Sequence, residues 1–128
     1  MKVTRTISGL DLIVCLEYSP TGRCFAIGLL FGSIMVVDSA THTVLHTLDV
    51  SVSDCAFSPD GTLLAVAFAS TFGLWDVATG SELRSISTHH HEANVILFTP
   101  DGKHIISASR DKTARVWDVA SGTPVHTL

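Results

Sequence analysis

Charge is scarce in this chain. Asp, Glu, Lys and Arg make up 16% of its 128 residues, against roughly 25% in an average soluble domain. So thin a polar coat implies that much of the surface meets other protein, or that the chain is a piece of something larger. The eight Lys and Arg residues are scattered and the formal net charge is -4, which leaves no basic stripe for nucleic acid or an anionic membrane. No uncharged apolar run reaches the length of about 18 residues that a spanning helix needs. Lys2 and Arg5 precede Ile7, but Asp11 and Glu17 interrupt the apolar stretch beyond it, which makes a poor signal peptide. Three cysteines, Cys15, Cys24 and Cys55, sit in apolar alternation. Their odd number and setting predict reduced thiols in a reducing compartment, cytoplasmic or nuclear, rather than a disulfide frame. No stretch of ten or more positions has a 3.6-residue apolar period, so helix is expected to be nearly absent. A Pro/Gly/Ser-rich linker is missing too, and one domain is expected over residues 1–128.

What the chain does have is a repeat. Tyr18-Ser-Pro-Thr-Gly22, Phe57-Ser-Pro-Asp-Gly61 and Phe98-Thr-Pro-Asp-Gly102 share one turn pattern. Each is followed, 18 or 19 residues after its aromatic, by an apolar residue and an aspartate: Val37-Asp38, Trp75-Asp76 and Trp117-Asp118. Proline presets one turn dihedral and glycine accepts a positive one, so each copy is a hairpin turn between strands. The third unit reads as strands over 94–98, 103–109, 113–119 and from Pro124 onward. The second reads as 53–57, 63–68, 73–77 and 82–87, with Ser70, Thr71 and Phe72 in its middle turn. The first reads as 13–18, 23–28, 33–37 and 43–48, with Phe31-Gly32 in the turn. Four short strands joined by hairpins make an antiparallel meander. A single four-stranded sheet cannot bury both faces, whereas radial repetition stacks each sheet on the next.

At the Trp-Asp pairs, and above all over Ser107-Ala-Ser-Arg-Asp-Lys-Thr-Ala-Arg-Val-Trp-Asp118, the chain resembles the WD40 repeat family. The resemblance covers essentially all 128 residues. It implies an all-β fold, a β-propeller segment of three four-stranded antiparallel blades, and a protein-protein interaction scaffold rather than a catalyst. It further implies a structural hydrogen-bond network of His89, Ser109, Asp111 and Trp117, with His90 or His91 able to replace His89. Unit two keeps Trp75 but lacks the turn aspartate, and unit one has Val37 in place of tryptophan. Trp75 and Val37 are expected in blade packing, and the complete network in the third blade alone.

Family repeats are written out of phase with blades, the last strand of one blade opening the next unit. Ile7, Leu48, Ile86 and Leu128 take that outer position at spacings of 41, 38 and 42 residues. The expected division is a leading outer strand over about 1–8, then blades over 9–48, 49–87 and 88–128. A ring of seven such blades needs about 290 residues. Three blades therefore require more chain, a partner that supplies blades, or several copies that close a ring as a homo-oligomer. The loops entering the blades and the middle turns form the expected interface, with Phe31, Phe72, Arg110, Lys112, His90 and His91 as candidates. Phe31 and Phe72 either anchor a partner or tuck back over the channel.

Chemistry finds little support. His89, Ser109 and Asp111 are the residue types of a nucleophilic triad, but no nucleophile-elbow glycines surround Ser109. His89-His-His-Glu92 carries metal-competent groups, yet adjacent side chains of an extended run point in opposite directions and cannot wrap one ion. His42, His46, His104 and His126 add no ligand spacing. No P-loop, dinucleotide fingerprint or calcium loop is present. The chain is expected to need no cofactor or metal, and to bind neither nucleic acid nor membrane.

Overall fold

The computed structural model describes residues 10, 12–30, 32–87 and 91–128. They form three four-stranded antiparallel sheets, each a meander in chain order. The first sheet holds β1 (Ile13–Tyr18), β2 (Cys24–Leu29), β3 (Ser33–Asp38) and β4 (Val44–Leu48). The second holds β5 (Asp54–Phe57), β6 (Leu63–Phe68), β7 (Thr71–Asp76) and β8 (Glu82–Ser87). The third holds β9 (Ala93–Phe98), β10 (His104–Ser109), β11 (Ala114–Asp118) and β12 (Pro124–Thr127). Among the described residues there is no helix, and the sheets stack as consecutive blades of an open propeller arc. The leading strand expected near residues 1–8 lies outside the described residues.

Two turn chemistries generate this repetition. In the first, Gly22, Gly61 and Gly102 donate their amides to the carbonyls of Ser19, Ser58 and Thr99 at 2.8–2.9 Å, each with φ between 72° and 75°. Asp60 and Asp101 fasten it by accepting from Ser58 Oγ at 2.7 Å and from Thr99 Oγ1 at 2.6 Å. In the second, the aspartate of each apolar-Asp pair folds back over the next few residues. Asp38 accepts from the Ala40 and Thr41 amides, Asp76 from Ala78 and Asp118 from Ser121. That aspartate is therefore a turn-former that ends the third strand of its sheet.

The middle hairpin of the second sheet differs from the sequence expectation. Thr71 and Phe72 belong to β7, not to the turn, and Ala69-Ser70 alone reverse the chain. The residue missing from this unit shortens the loop to two positions. Such a hairpin needs a positive φ, and Ala69 supplies it at 49°.

The faces of each sheet divide by size. The face toward the next blade is small: Cys24, Ala26 and Gly28 on β2, Ala65 and Ala67 on β6. The face toward the previous blade is large: Leu64, Val66 and Trp75 in the second sheet, Ile105 and Trp117 in the third. Small residues let the neighbouring sheet approach, and the indoles and branched chains fill the gap to interior density. One cluster joins Cys24, Ala26, Ile34 and Val36 to Phe57, Leu64, Val66 and Trp75. A second joins Ala65, Ala67, Phe72 and Leu74 to Ile96, Ile105 and Trp117. Val37 is buried with Ile27 and Leu29 on the first sheet's large face.

Candidate functional site

The polar lock of the third blade centres on a serine two residues before the expected one. Trp117 Nε1 donates to Ser107 Oγ at 3.0 Å, and both side chains are buried. Trp117 pairs with Ile105 across the ladder, so its indole reaches diagonally to Ser107 and stops there. Ser109 lies farther along β10 and does other work: its hydroxyl donates to the His91 carbonyl at 3.1 Å and accepts the Asp111 amide at 3.1 Å. This corrects the assignment of Ser109 as the tryptophan's partner. Asp111 accepts from the Thr113 amide at 2.9 Å and faces Arg115 Nη2 at 3.8 Å. His89 and His90 lie outside the described residues, as does Phe31. In the second sheet Val66 holds the register position of Ser107, so Trp75 has no equivalent hydroxyl.

Phe72 is also corrected. It is 1% exposed and packs edge-on to Trp117, with ring centroids 5.8 Å apart. Its place in β7 turns it onto the third sheet, so it is a packing residue and presents no aromatic to solvent. Trp75 packs likewise between the first two sheets, 6.5 Å from Phe68. Of the remaining candidates, His91, Arg110 and Lys112 are exposed. Lys112 holds φ at 69° and donates its amide to the Ser109 carbonyl, which fixes the turn that displays both cations.

Contacts between blades supply features that sequence reasoning missed. His46 Nε2 lies 3.2 Å from the Ala78 carbonyl, and Arg84 Nη2 donates to the Ala120 carbonyl at 3.0 Å. Each fourth strand thus clasps the last turn of the following sheet. Near the first strands, the Ile96 amide donates to Asp54 Oδ2 at 3.0 Å. The signal for the clasps is a long polar side chain at one position of β4 and β8, opposite a glycine turn. Nothing in one unit alone, however, indicates what it reaches.

A cleft of about 520 Å³ runs between the first two sheets, lined in part by Arg23, Asp38, His46, Asp60 and Asp76. Its carboxylates are committed to turns. The Thr41 amide and hydroxyl hold Asp38 below the usual carboxylate range, and the Ser58 hydroxyl followed by Thr62 does the same for Asp60. Acids locked as ionised acceptors make poor proton-transfer groups near neutral pH. Among the described residues no group of three or more His, Cys, Asp or Glu side chains is placed to hold a metal ion.

The family model described as WD domain, G-beta repeat, matches residues 41–76 and 78–118. An uncharacterized WD repeat-containing protein of Synechocystis sp. is 31% identical over 121 residues, which are 91% of this chain and 35% of that protein. WD repeat and SOCS box-containing protein 1 of Xenopus tropicalis is 43% identical over 65 residues, 49% of this chain and 15% of its own. WD repeat-containing protein 18 of Danio rerio is 37% identical over 67 residues, 52% of this chain and 15% of its own. The solved WD40 repeats of RRP9 superpose with a TM-score of 0.88 at 23% identity, covering 96% of this chain and 40% of that one. The structure of U3-55K does so at 0.87 and 22%, with the same coverage. The chain thus spans about a third or less of the curated relatives it matches.

Proposed function

This chain belongs to the WD40 repeat family, and from that premise we propose that its three blades are a non-catalytic part of a larger propeller that assembles other proteins. One observation carries the reading. Leu16, Cys55 and Ile96 hold equivalent register positions in the first strands of the three sheets. Cys55 and Ile96 are 3% and 0% exposed against the preceding blade, whereas Leu16 is 65% exposed. The opposite end repeats this: Ala56 is 6% exposed beneath the third sheet, and its equivalent Leu97 is 54% exposed. Each end sheet therefore presents the apolar face that its internal counterparts bury against a neighbour, and further blades fit both ends. The division into blades over 9–48, 49–87 and 88–128, preceded by a leading strand, belongs to this reading. So does an intracellular location, which suits three free cysteines.

The partner surface in this reading is the turn and loop carrying His91, Arg110 and Lys112, all exposed and held by Ser109 and Asp111. No cofactor, nucleic acid or membrane enters it. A second reading, self-association into a ring, is favoured by complementary ends: bulky Leu16 and Tyr18 at one, smaller Val95 and Ala108 at the other. Head-to-tail contacts of that kind close a ring or run on as filaments.

Molar mass by light scattering over a tenfold range of concentration separates the two. Polydisperse association of these three blades, relieved by Leu16→Glu or Leu97→Glu, together with a monomeric longer protein, is expected of the first. A discrete two-chain species with one cooperative melt overturns it in favour of ring closure. In the longer protein, the triple change His91→Ala, Arg110→Ala and Lys112→Ala should weaken partner binding with the melting temperature unchanged.

A further inference from the structure

We propose that Cys15 and Cys55 form a peroxide-responsive dithiol that closes to a disulfide across the junction of the first two sheets. The two sulfurs lie 3.2 Å apart, on β1 and β5, in residues separated by 40 positions. Both are free thiols, Cys15 partly exposed and Cys55 buried. A bond between them requires about 2.05 Å, so the sulfurs need to approach by little more than an ångström.

The contact is built by a neighbour that lacks a side chain. Cys15 lies opposite Gly28 in the β1–β2 register. A Cβ at Gly28 would run into the Cys15 sulfur and come within 2.8 Å of Val52 Cγ1. The missing methyl leaves the gap through which Cys15 reaches β5. Cys24 is buried on β2 and has no thiol partner among the described residues, so the pairing is selective.

Access and charge assign different roles to the two thiols. Cys15 is the accessible one, and the hydrogen bond from Cys55 holds its thiol below the ordinary value. The same hydrogen bond, then burial, push the Cys55 thiol up. The Asp54 and Glu17 carboxylates face the pair and oppose thiolate formation, but at Cys15 the hydrogen bond outweighs them. Cys15 is thus the attacking sulfur and Cys55 the resolving one.

The chemistry balances with one hydroperoxide. The Cys15 thiolate attacks a peroxide oxygen, the O–O bond breaks, and the departing hydroxide takes up a proton to leave as water. Cys15 is then a sulfenic acid. The Cys55 sulfur attacks the Cys15 sulfur, the S–O bond breaks, and the oxygen departs as a second water carrying the Cys55 proton. Two thiols have lost two electrons and two protons, and one hydrogen peroxide has become two waters. The new bond ties the first two blades together through their first strands, so that they cannot part without reduction.

The test is titration of the purified protein with hydrogen peroxide, then alkylation, digestion with trypsin and Asp-N, and mass mapping. The expected result is one peptide pair linking Cys15 to Cys55, with Cys24 still alkylated. The melting temperature should rise by roughly 10 °C and return on adding dithiothreitol. Cys15→Ser, which changes only the accessible thiol, should abolish both the link and the shift, and Cys24→Ser should abolish neither. Full alkylation of Cys15 and Cys55 after peroxide, a link through Cys24, a link between two chains, or Cys15 stopping as sulfinic acid would each overturn the proposal.

Discussion

Trp117 Nε1 donates to Ser107 Oγ at 3.0 Å inside the junction between the second and third sheets. The equivalent positions in the other sheets are Val66 and Ile27, so the same strand contact that is polar here is purely apolar there. One polar lock thus operates within a stack otherwise joined by packing. A buried indole N–H that loses its acceptor has no water to replace it.

Ser107→Ala should cost about 1–3 kcal/mol of stability, read from the urea midpoint. Ser109→Ala should cost about 1 kcal/mol or less, since its bond to the His91 carbonyl is solvent-exposed. A double-mutant cycle of Ser107→Ala with Trp117→Phe should show coupling of about 1 kcal/mol. Equal costs at the two serines, with no coupling to Trp117, would contradict the assignment.

Three turn glycines with nearly the same φ offer an internal comparison. Gly22 at 75° has open space where a Cβ would stand, so Gly22→Ala should cost only the left-handed strain, about 1 kcal/mol. At Gly80 the Cβ would come within 2.6 Å of His46 Nδ1, and the imidazole is held by the Ala78 carbonyl. Gly80→Ala should cost about 2–3 kcal/mol, the strain plus overpacking. Gly122→Ala meets the flexible end of Arg84 and should fall between them. Thermal melts of the three variants give the order directly.

Gly73 lies under the Trp75 ring, and a Cβ there would collide with the indole. Gly73→Ala should destabilise by about 1–3 kcal/mol through overpacking. The displaced ring should also shift tryptophan emission to longer wavelength. An unchanged spectrum with unchanged stability would show that the second sheet has slack at this junction.

Acid should weaken the fold through its turn carboxylates. The Thr99 hydroxyl lowers Asp101, the Ser121 hydroxyl lowers Asp118 and the Ser58 hydroxyl lowers Asp60. A carboxyl whose folded pKa lies below its unfolded one binds its proton more readily in the unfolded chain. Its contribution is therefore full above the unfolded value of about 4 and is lost as pH falls through the lowered folded value. The urea midpoint should stay level from pH 7 to 5 and drop below about pH 4. Glu17, raised by burial and then by Asp54, works in the opposite sense and should soften the drop. Asp60→Asn should lower stability at pH 7 and flatten the acid limb.

The strands are legible because local chemistry makes them. The 63–68 strand and its neighbours over 13–18 and 82–87 appear with the ends that alternation and turn residues set. Thr71 reads as turn because a two-residue hairpin needs a positive φ, and Ala69 does not announce one. Ser109 and Ser107 sit on the same side of β10, and the pattern alone favours Ser109. Only the register of Trp117 against Ile105 decides which one the indole reaches. Phe72 looks like an exposed aromatic in a polar turn, and its burial depends on a sheet whose first strand begins more than 20 residues later.

By itself the sequence determined the repeat, the turns, the strand order within each sheet and the small and large faces that make stacking necessary. Those come from dihedral preferences and the two-residue alternation of strands, which act over a few residues. Tertiary structure alone decided the Ser107 acceptor, the clasps of His46 and Arg84 on the next sheet's carbonyls, and the meeting of Cys15 with Cys55. Each joins groups on different strands or sheets, across 10, 32, 36 or 40 positions of chain. The distance and angle at which two sheets pack fix such contacts, and no local pattern encodes that geometry.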